Sequence, residues 1–214
     1  MKTDIKRIAI AVAATAAIAL GTLVIKETTT PKMHTVYFPI MYCECGTLKT
    51  EFAKHGVRFG FAVSSSSFEN PTTRAIIEEH ASIVVTENAL NMKYTQPKLG
   101  KFNFSEGDKI VRYARKLGID VHGHTASWWH ANPPWLTDGT FSSAELEYIL
   151  ANHISTLSKH YDGKLASLIA ANEGYLSCGV WCEIGMNNYV QTSFGAAGDS
   201  TPLIYNSIFT DIQE

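Results

Sequence analysis

An asparagine and a glutamate stand side by side after an apolar run, at Asn172-Glu173. A carboxyl at the end of a buried strand can exchange a proton, and the amide beside it can hold a substrate hydroxyl. Similar polar groups follow two other apolar runs. One is Thr86-Glu87-Asn88. The other is His122-Gly123-His124-Thr125, followed by Trp128, Trp129, His130 and Trp135. Carboxylates and tryptophans together suit sugar chemistry, because pyranose rings offer flat C–H faces to indoles while their hydroxyls demand directional hydrogen bonds. A glycosidic bond is normally cleaved by two carboxyl groups, one protonating the leaving oxygen and the other attacking or activating water. Glu173 suits the first role, which needs a carboxyl held protonated by partly apolar surroundings. His122 and His124, with His130, offer a rival arrangement of the kind that binds zinc. No second His or Asp cluster follows them, so no metal is expected, and His122 reads by default as a polar strand residue. For the tryptophans, core packing is the ordinary alternative.

The elements that would carry these residues alternate. Val57–Val63, Ser82–Thr86, Ile119–His124, Leu165–Ala171 and Leu203–Tyr205 read as strands. Between them lie helical patterns. Asn70-Pro71 supplies an N-cap and a first-turn proline for 72–80. Ser105 is the candidate cap of a helix bearing Ile110, Val111, Ala114 and Leu117, with Gly118 ending it. Ser142-Ser143-Ala144-Glu145 is a capping box that opens a helix with Leu146, Ile149, Leu150, Ile154 and Leu157 on one face. A last helix is predicted over 188–197. Strand–helix alternation implies parallel βαβ units, in an open doubly wound sheet or a (β/α)8 barrel. In both, functional residues gather beyond the C-terminal strand ends. There is no G-x-G-x-x-G after the first strand and no G-x-x-x-x-G-K-[ST], so no nucleotide cofactor is expected.

The chain has 214 residues, with 18 Lys+Arg against 20 Asp+Glu, and lacks the basic face of a nucleic-acid binder. Lys2, Lys6 and Arg7 precede an apolar run from Ile8 to Ile25. This predicts an apolar helix that serves as a signal peptide over 1–26 or as a membrane anchor through residues 8–25. Either reading places the remainder outside the cytoplasm, secreted or membrane-anchored. Residues 27–56 read as a linker and an irregular segment, and 57–214 as the catalytic-type domain. Cys43, Cys45, Cys178 and Cys182 permit disulfides in an oxidising compartment, in a pairing that spacing does not fix.

The order of these motifs resembles the N-terminal part of the catalytic barrel of glycoside hydrolase family 10, the β-1,4-xylanase family. The similarity runs from about Phe59 to about Asn206. Its anchors are Phe59-Gly60-Phe61-Ala62, Thr86-Glu87-Asn88, Pro97-x-x-Gly100-x-Phe102-x-Phe104 with Asp108, Gly123-His124-Thr125, Trp128, Pro133-x-Trp135, His153-Ile154 and Asn172-Glu173. The resemblance implies endo-hydrolysis of xylan or a related β-1,4-linked polysaccharide with retention. Glu173 would be the acid/base. Asn172 would contact the sugar beside the scissile bond, His124 and Trp128 would line the same subsite, and Glu87, Asn88 and Trp135 would shape the cleft.

The chain also departs from the family's pattern. The family's pocket lysine falls on Asn91; Lys93, two residues on in a segment read as extended, is the candidate substitute. Trp129 stands where the family has a second histidine, Ala131 replaces a glutamine, Leu168-Ile169 replaces Trp-Asp, and Asn206-Ser207 replaces Asn-Asp. The family's nucleophilic glutamate lies on the seventh strand. The expectation is a partial TIM barrel of about five of eight βα units, carrying the acid/base without its partner. A complementary chain could complete it, and a non-catalytic carbohydrate-binding protein at the cell surface is the alternative function.

Overall fold

The computed structural model describes residues 21–25, 34–38, 46–175 and 177–207. The chain divides into two units, Met1–Cys45 and Gly46–Glu214. In the first unit, β1 (Gly21–Ile25) pairs antiparallel with β2 (His34–Phe38), Gly21 opposite Phe38. The expected apolar helix is therefore not supported through Ile25, where β-branched Thr22, Val24 and Ile25 favour extended backbone. Residues 8–20 of that run, and 1–7 before it, lie outside the described residues. Among the described residues no helix is long and apolar enough to cross a membrane. The segment 27–56 is not wholly irregular either, since it holds β2 and α1 (Leu48–Ala53).

The second unit is a parallel sheet of β3 (Gly60–Ala62), β4 (Ile83–Val85), β5 (Asp120–Gly123), β6 (Ser167–Asn172) and β7 (Leu203–Asn206), paired in that order. Helices α2 (Ser65–Glu69) and α3 (Pro71–His80) join β3 to β4. Then come α4 (Met92–Thr95) and α5 (Ser105–Lys116) before β5, α6 (Pro134–Thr137) and α7 (Ser143–His160) before β6, and α8 (Met186–Ala197) before β7. A doubly wound sheet reverses its strand order at a switch point. Here the order never reverses, so the sheet winds in one sense, as in a barrel wall. All C-terminal strand ends therefore share one rim.

Local sequence explains most of these elements. The Asn70 side chain accepts from the Thr72 and Thr73 amides at 2.9 and 3.1 Å, and Pro71 sits at the first helical position. Both halves of the Ser142–Glu145 capping box form at the start of α7. That helix buries Leu146, Ile149, Leu150, His153, Ile154 and Leu157, one face at helical spacing. All six residues of β6 are buried, whereas β7 alternates between half-buried and exposed, as an edge strand does. The first strand is shorter than expected: Val57 is exposed, and Gly60 runs so close to the Ile83 carbonyl that a Cβ there would overlap it. Ser105 is not the cap of α5. Phe104 holds that position without a side-chain bond, and Asn103 Oδ1 accepts from the Ser105 amide at 3.1 Å.

Candidate active site

The rim brings four expected residues together. Asn172 ends β6, 1 % exposed, and its amide donates to the Ser127 carbonyl at 3.0 Å. Its Oδ1 accepts from Asn206 Nδ2 at 2.7 Å, which ties β6 to β7. Glu173 follows with its amide donating to the Asn206 carbonyl at 2.7 Å. Its φ is 51°, the left-handed region that residues with a side chain seldom occupy and that recurs at functional sites. This turn swings the carboxylate out of the sheet, where Oε2 accepts from Trp128 Nε1 at 2.9 Å. The Trp128 ring meets His124 edge-on, centroids 5.7 Å apart.

His124 Nδ1 lies 3.1 Å from the Glu87 carbonyl oxygen. A carbonyl only accepts, so Nδ1 carries the proton and Nε2 is left as the acceptor of the neutral ring. Burial pushes His124 below the ordinary histidine range, while the Glu87 carbonyl and the Glu173 charge pull it part of the way back. The ring is therefore neutral at pH 7, with Nε2 able to accept a hydrogen bond. His122 also falls below its ordinary range, first through burial and then through the charges of His124 and Arg58. Its Nδ1 is 2.6 Å from Ser167 Oγ. Among the described residues no three His, Cys, Asp or Glu side chains gather in a way that could hold a metal ion.

The remaining expected residues lie elsewhere. The Glu87 and Asn88 side chains are exposed and border a cavity of about 160 Å³ with Ser64, Tyr94 and Glu106. Lys93 is exposed on α4, and its backbone amide donates to the Ala131 carbonyl at 3.0 Å. The premise that Asn91 and Lys93 share a face fails, because 92–95 form a helical turn and residues two apart on a helix diverge by roughly 200°. Asn91 is 2 % exposed. Its Nδ2 donates to Asn88 Oδ1 at 3.2 Å, and its Oδ1 has no partner among the described residues. Trp135 is not bonded into the Glu173 cluster. Its Nε1 donates to the Gln96 carbonyl at 2.9 Å, and its ring meets Phe141.

Three residues have supporting roles that the sequence reading did not assign, although Thr86 and Thr125 stand in its strand-end motifs. Thr86 Oγ1 donates to the His124 carbonyl and accepts from the His124 amide, both at 3.0 Å. Thr125 Oγ1 donates to the Ile169 carbonyl at 3.0 Å. Ser127 Oγ is buried 2.7 Å from the Ala170 carbonyl, 2.9 Å from Tyr189 Oη and 3.2 Å from Ser193 Oγ. Together they fix the turn that carries His124 and Trp128. After Glu173 the chain passes through a Cys178–Cys182 disulfide, whose loop packs Gly179 against Trp129. The other two cysteines lie outside the described residues.

A sequence model of Glycosyl hydrolase family 10 matches residues 47–212. The chain belongs to that family. Endo-1,4-beta-xylanase A of Phanerodontia chrysosporium is 31 % identical over 157 residues, covering 70 % of this chain and 38 % of the relative. An endo-1,4-beta-xylanase of Agaricus bisporus is 30 % identical over 171 residues, covering 77 % of this chain and 51 % of the relative. The chain thus spans about half or less of the length of these relatives. Among solved structures, native xylanase 10B of Thermotoga maritima aligns with a TM-score of 0.70 at 25 % identity, over 75 % of this chain and 53 % of that one. Xylanase 10B of Thermotoga petrophila RKU-1, solved with xylobiose, aligns at 0.71 with 24 % identity, over 78 % and 54 %. The five-stranded sheet is the family's TIM-barrel wall seen in part.

Proposed function

We propose that this family 10 chain carries the acid/base corner of an endo-1,4-β-xylanase-type site, with xylan or a related β-1,4-linked glycan as substrate. Glu173 would protonate the departing glycosidic oxygen and then deprotonate the incoming water, as a retaining mechanism requires. Asn172 and His124 would hold sugar hydroxyls, Trp128 would orient Glu173, and Glu87 and Asn88 would bound the sugar further along. The bond from Trp128 Nε1 to Glu173 Oε2 carries this reading, because an indole on one oxygen leaves the other free for the scissile bond. Retention also needs a second carboxylate about 5 Å away. Among the described residues Glu173 is the one carboxylate bonded into the cluster, so the proposal covers the proton-transfer half. Assay the purified chain on xylan and on an aryl xylobioside with a good leaving group. With a second chain supplying the nucleophilic carboxylate, Glu173→Ala should abolish the first activity and spare glycosylation of that carboxylate by the second substrate, because a good leaving group needs no proton. Equal xylan turnover with and without Glu173 sinks the role.

A second reading is favoured by Asn91, an asparagine turned inward where the resemblance places a lysine. It is a xylanase-derived carbohydrate-binding protein that does not hydrolyse. Calorimetric titration with xylo-oligosaccharides showing binding without turnover would select it. An extracytoplasmic location belongs to the same proposal. The Cys178–Cys182 disulfide supports it, since such bonds persist in oxidising compartments.

A further inference from the structure

A second cavity, of about 510 Å³, opens between the loop after α4 and the N-terminal half of α7. None of its lining residues belongs to the Glu173 cluster. Its apolar surfaces are Leu99, Phe141 and Tyr148. Tyr148 is 72 % exposed and Leu99 55 %, so these side chains are not there to complete the core. On α7, Glu145, Tyr148 and Asn152 fall at spacings of three and four, one stripe on the side turned away from the buried Leu146, Leu150 and Leu157.

The polar groups are equally specific. Gln96 lines the cavity yet is only 1 % exposed. One end of its amide lies 2.9 Å from His153 Nδ1. The other end forms no hydrogen bond among the described residues. Whichever way the amide is turned, one donor or one acceptor remains for whatever occupies the cavity. Glu145 receives both Ser142 bonds on Oε2, so Oε1 is free to accept. Trp135 fixes the wall behind, bonded to the Gln96 carbonyl and packed on Phe141.

We propose that this cavity is a second carbohydrate site, in which a neutral xylo-oligosaccharide lays a ring face on Tyr148 and gives its hydroxyls to Gln96, Glu145 and Asn152. The inference rests on the β-glycan reading above. A purely apolar ligand would leave these polar groups unpaired. An anion would meet the Glu145 carboxylate. A sugar chain satisfies the aromatic surface and the polar edge together, and a site apart from Glu173 would tether the protein to its polymer.

Depletion of the full chain by insoluble neutral xylan, with xylohexaose as soluble competitor, tests this. Tyr148 is exposed enough to be replaced without disturbing the core, and thermal unfolding checks that. Tyr148→Ala should weaken retention about fivefold, the scale of one lost aromatic contact, and Tyr148→Phe should restore it. Asn152→Ala should weaken it less. The cleft variant Glu87→Ala/Asn88→Ala should leave the Tyr148-dependent part in place. Unchanged retention in Tyr148→Ala overturns the second site while leaving the cleft reading to the double variant. Loss in Tyr148→Ala with an indifferent double variant upholds the second site and removes the cleft. A chain that xylan does not retain at all overturns both.

Discussion

Two corners of one rim are built to different standards. Around Glu173 nearly every polar atom has a partner: Trp128 on the carboxylate, Asn206 on Asn172, the Glu87 carbonyl on His124, and Thr86, Thr125 and Ser127 beneath. Around Asn91 the fit is loose. Its carbonyl oxygen is buried without a partner, Ala131 stands where the resemblance expects a glutamine, and Lys93 points to solvent. Proton transfer demands atoms placed to a few tenths of an ångström. Holding a neutral sugar tolerates substitution better, because hydroxyls accept many partners. The contrast marks the first corner as the one where geometry is fixed.

The largest test of that contrast is chemical. On the proposed acid/base role, with a second chain supplying the nucleophile, Glu173→Ala should lower turnover on xylan at least about 100-fold, the usual contribution of a general acid/base. Asn91→Ala should change it by less than about tenfold, and steady-state kinetics on the two variants compares the corners directly.

The second test concerns the scaffold beneath both corners. His153 is fully buried on α7, and burial pushes it down to about 4. The unfolded chain would titrate near the ordinary value of about 6.5. Below that value the unfolded state binds the proton that the folded state refuses. Stability is therefore full above about 6.5 and is lost as pH falls toward 4, by up to about 3 kcal/mol. Urea unfolding at pH 7 and pH 5 should show the loss, and His153→Gln should flatten it.

The third and fourth tests are smaller. Ser127→Ala strips the buried hub under the Trp128 turn and should cost about 1–3 kcal/mol, leaving Tyr189 Oη and the Ala170 carbonyl short of a partner. Asn91→Leu exchanges a half-satisfied amide, whose one bond goes to the exposed Asn88, for an apolar group of similar size and should shift stability by less than about 1 kcal/mol. If the two shifts were equal, the difference in construction between the corners would disappear.

Much of this was legible in the sequence. Strand–helix alternation, the Asn70 and Ser142 caps, and the strand-end polar groups all depend on neighbours a few residues away. What was not legible depends on distant backbone. Thr86, Thr125 and Ser127 bond to carbonyls or amides on neighbouring strands, and no local pattern announces such partners. Trp135 looked like a cleft aromatic, but its indole N–H goes to the Gln96 carbonyl, a partner set by tertiary packing. The pairing of Asn91 with Lys93 failed because a four-residue helix, α4, lies within the segment read as extended. At the N-terminus, an apolar run could be read as one helix only because the pairing of Gly21–Ile25 with His34–Phe38 is invisible to hydropathy.

The backbone at Glu173 has a consequence for anyone improving this protein. With φ at 51°, glycine or asparagine would sit there more comfortably, and a glutamate costs about 1–2 kcal/mol of folding stability. A selection for heat resistance alone would discard this glutamate early, and on the proposed acid/base role a library screened that way would yield hardier but chemically silent proteins. Screening for retained turnover alongside melting temperature keeps the two pressures apart.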